Sequence, residues 1–464
     1  MEKKASKSEL VALIVSSCIG AGVFGITQNL ASVSAPGPAL LAWLFSGFGF
    51  LMLVLSINNL SRKRPELDAG IFSYAGAGFG PLGEFISGWF YWLSAWLGSI
   101  AFATMMMDAL GFFIPIFKNT TISIITAIFF CWLLTFIVDR GIEGAMMINQ
   151  IATIFKVLPL LIFIMIMVVS FKAHVFTADF WGHVASNTYK SGSVFTQMKS
   201  CLFTLIWVTI GVESANVMAN RAKSRTEAEK ATIIALIFLM IFYVLISILP
   251  YGVLSRAELA GTPQPALGYV LEKVVGHWGS ILIDAGLVIS SAIAWLSWTM
   301  LPAETARLLA DDKVMPKYWT KENKIGSPTT ALVITGILET FFLFTLFFTK
   351  NAYEFAYSLC SSAILFSYLF VGLYQMKYSW KERDIKQFVI GLFAAAFQIA
   401  CMFLAGLSTV LLVWISVIPG FVVFLHSNIE NHRSLNTREK WVMGILLLVG
   451  IGALAMLIAG KITV

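Results

Sequence analysis

The sequence predicts an all-α integral membrane protein, one transmembrane unit of about thirteen helices spanning residues 1–464. Three observations lead there. Hydrophobic residues make up 58% of the chain and charged residues only 12%, against about 25% charged in a soluble domain. Apolar runs such as 122–138 and 158–170 recur between short polar breaks from end to end. They are continuous rather than alternating, and of the two structures that satisfy their own backbone in lipid, helix and closed barrel, only the helix reads that way. Finally, the basic residues gather on alternate connections between the runs, as the positive-inside rule requires.

In chain order the expected spans are 9–31, 38–60, 82–115, 121–138, 145–171, 195–219, 230–254, 277–306, 329–348, 353–376, 387–405, 409–426 and 440–460. Each is long enough for a bilayer core of about 30 Å. The N-terminal stretch, residues 1–10, leads straight into the first run with no small-residue cleavage site, so a cleaved signal peptide is not expected. With the N-terminus inside, 23 of the 32 Lys and Arg fall on inner segments, eight on outer ones, and Lys156 lies within a span. An odd helix count then puts the C-terminus outside a cell membrane. This sidedness accounts for the net charge of +7 and removes nucleic acid as a partner. The five cysteines, at 18, 131, 201, 360 and 401, stand singly in apolar segments, so neither a disulfide framework nor a metal site is expected. No cofactor is expected, and no nucleophile–base pair suggests an enzyme.

Residues 20–25 read Gly-Ala-Gly-Val-Phe-Gly, a literal match to the dinucleotide fingerprint. That fingerprint works only between a strand and a helix with an acidic residue about 20 positions on. Here it interrupts the first apolar span, and the next acidic residue is Glu66. Close helix packing through small residues is one reading. The other is an unwound helix, because Ser16 to Gly22 are poor helix formers. A broken helix offers amide and carbonyl groups to an amino acid without burying a charged side chain. Trp207-Val-Thr-Ile-Gly211-Val-Glu213 suggests a second break, in the sixth span. Breaks in the first and sixth spans are what a five-plus-five inverted repeat produces, here 9–171 and 195–376, with 387–460 as additional helices.

These residues carry a resemblance. Ile19-Gly-Ala-Gly-Val-Phe24, Tyr91-Trp-Leu-Ser-Ala-Trp-Leu-Gly98, Ile210-Gly-Val-Glu-Ser-Ala215 and Ala310-Asp-Asp-Lys-Val-Met-Pro316 resemble the amino acid–polyamine–organocation superfamily, nearest its basic amino acid/polyamine antiporters. The stretch from Arg64 to Gly80 is similar to the arginine/ornithine-antiporter-like branch. The resemblance implies that the substrate carboxylate sits at Ala21 and Gly22, and that carbonyls of Cys18, Trp207 and Ile210 meet its ammonium. It implies that Trp207 gates the site, that Trp298 stacks on a cationic side chain, and that Glu213 links the sixth helix to its neighbours. Ser99 stands where several relatives have an Asn contacting the substrate side chain, a departure that bears on substrate choice.

Ionisable groups inside a bilayer are costly and mark function by default. Lys156 lies about 11 residues into its span, roughly 16 Å deep at 1.5 Å per residue. It is either a tie held by helix-end carbonyls or a group that titrates with transport, and Glu213 is either a structural link or a proton-linked gate. Asp108 lies nine residues beyond Ser99, half a turn round the helix, and is expected to face an outer vestibule or another helix. Asp284 and Glu339 are expected to be structural. Ser358, Cys360, Ser361 and Ser362 form a small polar face that either lines a pocket or packs helices. The function these features imply is exchange of a cationic amino acid for its metabolic product, arginine for ornithine. Histidine/histamine and lysine/cadaverine exchange, or proton-coupled uptake, are the alternatives. Partners are then amino acids and amines, the lipid bilayer and possible protons, and an oligomer is compatible with the sequence.

Overall fold

A computed structural model describes residues 7–67, 69–184, 186–189, 192–213, 224–348 and 351–462, and for residues 9, 13, 142–155 and 225 the backbone alone. The end of the expected sixth span, 214–219, lies outside the described residues. The helices are α1 (Lys7–Cys18), α2 (Gly22–Val33), α3 (Pro36–Lys63), α4 (Ile71–Phe113), α5 (Thr120–Arg140), α6 (Ile142–Ser170), α7 (Ala173–Thr177), α8 (Val194–Ser200), α9 (Leu202–Thr209) and α10 (Arg225–Ile248). They continue with α11 (Arg256–Ala260), α12 (Ala266–Val275), α13 (His277–Asp311), α14 (Thr329–Thr345), α15 (Ala352–Lys381), α16 (Ile385–Leu404), α17 (Leu407–Trp414), α18 (Val417–Glu430) and α19 (Thr437–Ile458).

Among the described residues ten helices are long and apolar enough to cross a membrane, or eleven if α1 and α2 form one span bent by 51°. The apolar helices at Lys156–Ser170 and Val194–Thr209 are shorter. They occupy parts of the expected fifth and sixth spans. The expected division at 405–409 is present, where Gly406 takes φ +159° between α16 and α17.

Two features depart from expectation. One is a short helical segment ahead of the expected third span: it runs from Ile71 to a kink at Gly80, with φ +78°, after which Pro81 starts the helix expected over 82–115. Proline suits a first helical turn, where its missing N–H has no partner to lose. The other departure is the pair of short helices α11 and α12, too short to register as spans.

The chain divides into two compact units. In the first (1–54, 101–129, 145–297), α1 packs on α10, and α2 packs on α10, α11 and α12. The ends of α2 and α3 are tied by polar groups. Tyr251 Oη donates to Ser34 O at 2.8 Å, Arg256 Nε to Ala31 O at 3.0 Å, and the Ala35 amide to Gln197 Oε1 at 2.9 Å. These bonds satisfy carbonyls and amides that a helix terminus leaves unpaired. Burial lowers the pKa of Arg256, and its guanidinium lies 3.9 Å from the Tyr189 ring centroid, a cation–π contact.

In the second unit (55–100, 130–144, 298–464), α15 and α16 form a close antiparallel pair. A Cβ at Gly372 would lie 2.6 Å from the Ala395 amide nitrogen, so glycine sets that approach. Buried polar side chains on α15 find partners on neighbours. Ser367 Oγ donates to Ser87 O at 2.6 Å, and Gln375 Oε1 accepts from Asn59 Nδ2 at 3.1 Å. Such pairing is the price lipid sets on a polar group.

Candidate functional site

The first expected span is a broken helix. Ile19 N makes the last regular bond, to Val15 O at 3.0 Å, and Phe24 N resumes with a tighter bond to Ala21 O at 3.1 Å. Among the described residues the amides of Gly20, Ala21 and Gly22 have no backbone acceptor. They form the N-terminal, partially positive end of α2, while the carbonyl end of α1 closes the other side of the gap. Continuous helical bonding through 20–22, which would have excluded the broken-helix reading, is absent there.

The second break follows α9. Ile210 turns to φ −57°, ψ 139°, and Gly211 takes φ +107°. A Cβ on Gly211 would lie 3.1 Å from Ser17 O, so the two breaks lie against each other. They are also bonded: Ser17 Oγ donates to Gly211 O at 3.3 Å. Glu213 is buried and its Oε2 accepts from the Gly211 amide at 3.0 Å. It therefore caps the break from within its own segment.

Gly22 leaves room for the tryptophan of α9. A Cβ there would come within 2.6 Å of Trp207 Nε1. The Trp207 ring sits 5.3 Å from that of Phe102, and a Cβ on Gly20 would meet Phe102 at 2.6 Å. Glycines 20 and 22 thus let two aromatic rings rest on the exposed backbone of the break. Phe102 is a residue that sequence reasoning missed. Its only signal was a position three residues after Ser99 in the same run.

Lys156 is almost wholly buried, and Nζ donates to Ser16 O at 3.4 Å. That carbonyl belongs to the last turn of α1, where a helix dipole favours a cation. Of the sequence-predicted residues, the first unit therefore brings together Cys18, Ala21, Gly22, Trp207, Ile210, Glu213 and Lys156.

Within the second unit, Ser99 Oγ donates to Trp298 O at 3.3 Å, and both residues are buried. Cys360 is held by Ser94, whose Oγ donates to Cys360 O at 3.0 Å and lies 3.3 Å from Cys360 Sγ. Glu339 Oε2 accepts from the Cys131 thiol at 3.1 Å. In the first unit Asp108 is exposed. Asp284 is fully buried, and neither carboxylate oxygen has a hydrogen-bond partner among the described residues.

The amino acid permease family profile matches residues 7–451. The chain belongs to the amino acid permease family. It is 47% identical to an arginine/ornithine antiporter of Latilactobacillus sakei, over all of this chain and 98% of that one. It is 40% identical to an arginine/ornithine antiporter of Lactococcus lactis subsp. cremoris, over 99% of this chain and 97% of that one. Among solved structures, a substrate-bound, outward-open sodium-coupled sialic acid symporter superposes with a TM-score of 0.52 at 14% identity, covering 86% of this chain and 89% of its own. That likeness supports the five-plus-five inverted-repeat fold with discontinuous first and sixth helices. As a permease the chain is a transporter and not an enzyme, and its broken helices are where such a fold exposes backbone.

The pairing of the breaks depends on Gly211 adopting a conformation that side chains with a Cβ rarely tolerate. Gly211→Ala is expected to cost about 1–3 kcal/mol and to slow transport. Thermal unfolding of the purified protein in detergent, alongside transport in proteoliposomes, checks this. A variant with the parent's midpoint and rate would refute it.

Proposed function

We propose that this permease exchanges cationic amino acids across a cell membrane, arginine against ornithine. The observation that carries the amino-acid reading is the pair of abutting helix breaks. Amides at Gly20–Gly22 without a backbone acceptor among the described residues suit a carboxylate, and the carbonyl ends of α1 and α9 suit an ammonium. A zwitterion is thereby bound by dipoles rather than by full charges, which keeps it releasable. The substrate pair rests on the two relatives, both arginine/ornithine antiporters along nearly their whole length.

We assign the carboxylate to Ala21 and Gly22 and the ammonium to the carbonyls of Cys18, Trp207 and Ile210, with Trp207 as the gate. Trp298 is the platform for the guanidinium or side-chain ammonium, and Ser99 and Cys360 are assigned to the lining near the side chain. The N-terminus is taken to be cytoplasmic and the C-terminus extracytoplasmic, from the distribution of basic residues. Lys156 is read as a fixed cation that braces the end of α1. An exchanger of equally charged substrates needs no proton to move with each cycle, so a permanent charge serves it.

Proteoliposomes preloaded with ornithine are expected to take up labelled arginine, whereas empty ones are not, even under a pH gradient. Uptake driven by the pH gradient alone would overturn exchange in favour of proton symport. In the same assay Trp298→Ala is expected to weaken arginine affinity about 5–30-fold, the loss of roughly 1–2 kcal/mol of cation–π stacking, and Trp298→Phe to retain much of it. For Lys156, the Arg variant is expected to keep partial exchange while the Ala variant loses folding yield and all transport together. Rates across about pH 5 to 8 decide between a fixed and a titrating lysine. A stable, active Lys156→Ala that has lost only its pH response would refute the fixed-charge assignment.

A further inference from the structure

A second cavity, unrelated to the helix breaks, lies within the second unit. It has a volume of about 500 Å³ and is walled by the kink of α4 at Gly80 and Pro81 and by the segment from Arg433 to Val442. Arg433, Ser434 and Arg438 supply its polar side, and Phe79, Phe370 and Val442 its apolar side. We propose that this cleft holds the phosphodiester headgroup of an anionic diacyl phospholipid from the membrane leaflet.

Charge is the first argument. Glu439, the one carboxylate on the wall, is fully committed: it pairs with Arg433, and its Oε2 accepts from the Asn436 amide at 3.0 Å. The nearby Glu84 carboxylate is directed elsewhere, since a Cβ on Gly76 would lie 2.5 Å from its Oε2. Arg433 is further fixed by Asn428 Oδ1 at 3.2 Å and by the Phe424 ring at 5.6 Å. Arg438 is exposed and makes no ion pair or hydrogen bond among the described residues. Lys377 stands at the rim, 5.5 Å from the Phe79 ring centroid, and its Nζ donates to Gly78 O. Three cations against one neutralised carboxylate leave a net positive cleft with one uncommitted guanidinium, a group shaped for two phosphate oxygens.

Depth is the second argument. The cleft sits at the beginnings of α4 and α19 and toward the end of α15, the ends that the distribution of basic residues puts on the inner face. Basic clefts between helix ends at that level recognise anionic headgroups. Immediately beyond it, α19 turns apolar and faces outward through Trp441, Ile445 and Leu448, exposed by 71%, 58% and 69%. Acyl chains of a lipid held at Arg438 can lie along that face. A free phosphate would make no use of it or of the exposed Phe79 and Val442, which is why a lipid is the occupant the geometry favours.

Native mass spectrometry of the full chain released from nanodiscs of mixed phosphatidylglycerol and phosphatidylcholine tests this. The parent is expected to retain phosphatidylglycerol preferentially, and Arg438→Gln to lose about fivefold of that preference, the effect of one basic side chain at a charged surface. Arg438→Lys is expected to keep most of it, and Lys440→Gln, which removes an exposed charge outside the cleft, to leave it unchanged. Equal retention of both lipids by the parent, an Arg438→Gln indistinguishable from it, or an equal loss in Lys440→Gln would each overturn the site. Displacement of the lipid by inorganic phosphate at millimolar concentration would overturn the lipid assignment in favour of a free-anion site.

Discussion

Everything in this molecule follows from the rule that a backbone in lipid must satisfy its own hydrogen bonds. The helices obey it along most of their lengths, the kink at Gly80 apart. At Ile19–Ala21 and Ile210–Val212 they do not, and the surrounding residues compensate. Ser17 bonds across to Gly211, the Glu213 carboxylate takes the Gly211 amide, and Lys156 takes the Ser16 carbonyl. Each of these bonds pairs a backbone group at the breaks, and among the described residues the amides of Gly20–Gly22 keep no backbone acceptor. The site is the remainder of an otherwise closed hydrogen-bond account.

Two buried ionisable residues lie at the breaks, Lys156 and Glu213. Lys156 lies at the carbonyl end of α1 and Glu213 at the amide of Gly211, each against a dipole of its own favourable sign. Both side chains hydrogen-bond backbone groups at the breaks.

The glycines divide by physical role. Gly211 and Gly80 are required for their dihedral angles, at φ +107° and +78°. Gly20, Gly22 and Gly372 are required for space, because a Cβ at any of them would come within 2.6 Å of a neighbouring atom. A run such as Gly-Ala-Gly-Val-Phe-Gly therefore matches a nucleotide fingerprint for reasons that have nothing to do with phosphate. Small residues permit close approach in both settings, and here what approaches is the indole of Trp207 and the ring of Phe102.

Local composition alone determined the membrane class, most of the helices and the position of both breaks, because each depends on a short window: twenty apolar residues, or a cluster of serines and glycines at mid-span. The family resemblance was legible for the same reason, in short contiguous segments. The short helix from Ile71 that precedes the kink at Gly80 was not legible, because a run that short falls far below the length of a membrane span. Only the tertiary structure decided which carbonyl Lys156 would find, that Ser17 and Gly211, 194 residues apart, would bond, and that Phe102 would cover Gly20. Those outcomes rest on the meeting of distant segments, where the identity of a partner is set by packing and leaves no periodic trace along the chain.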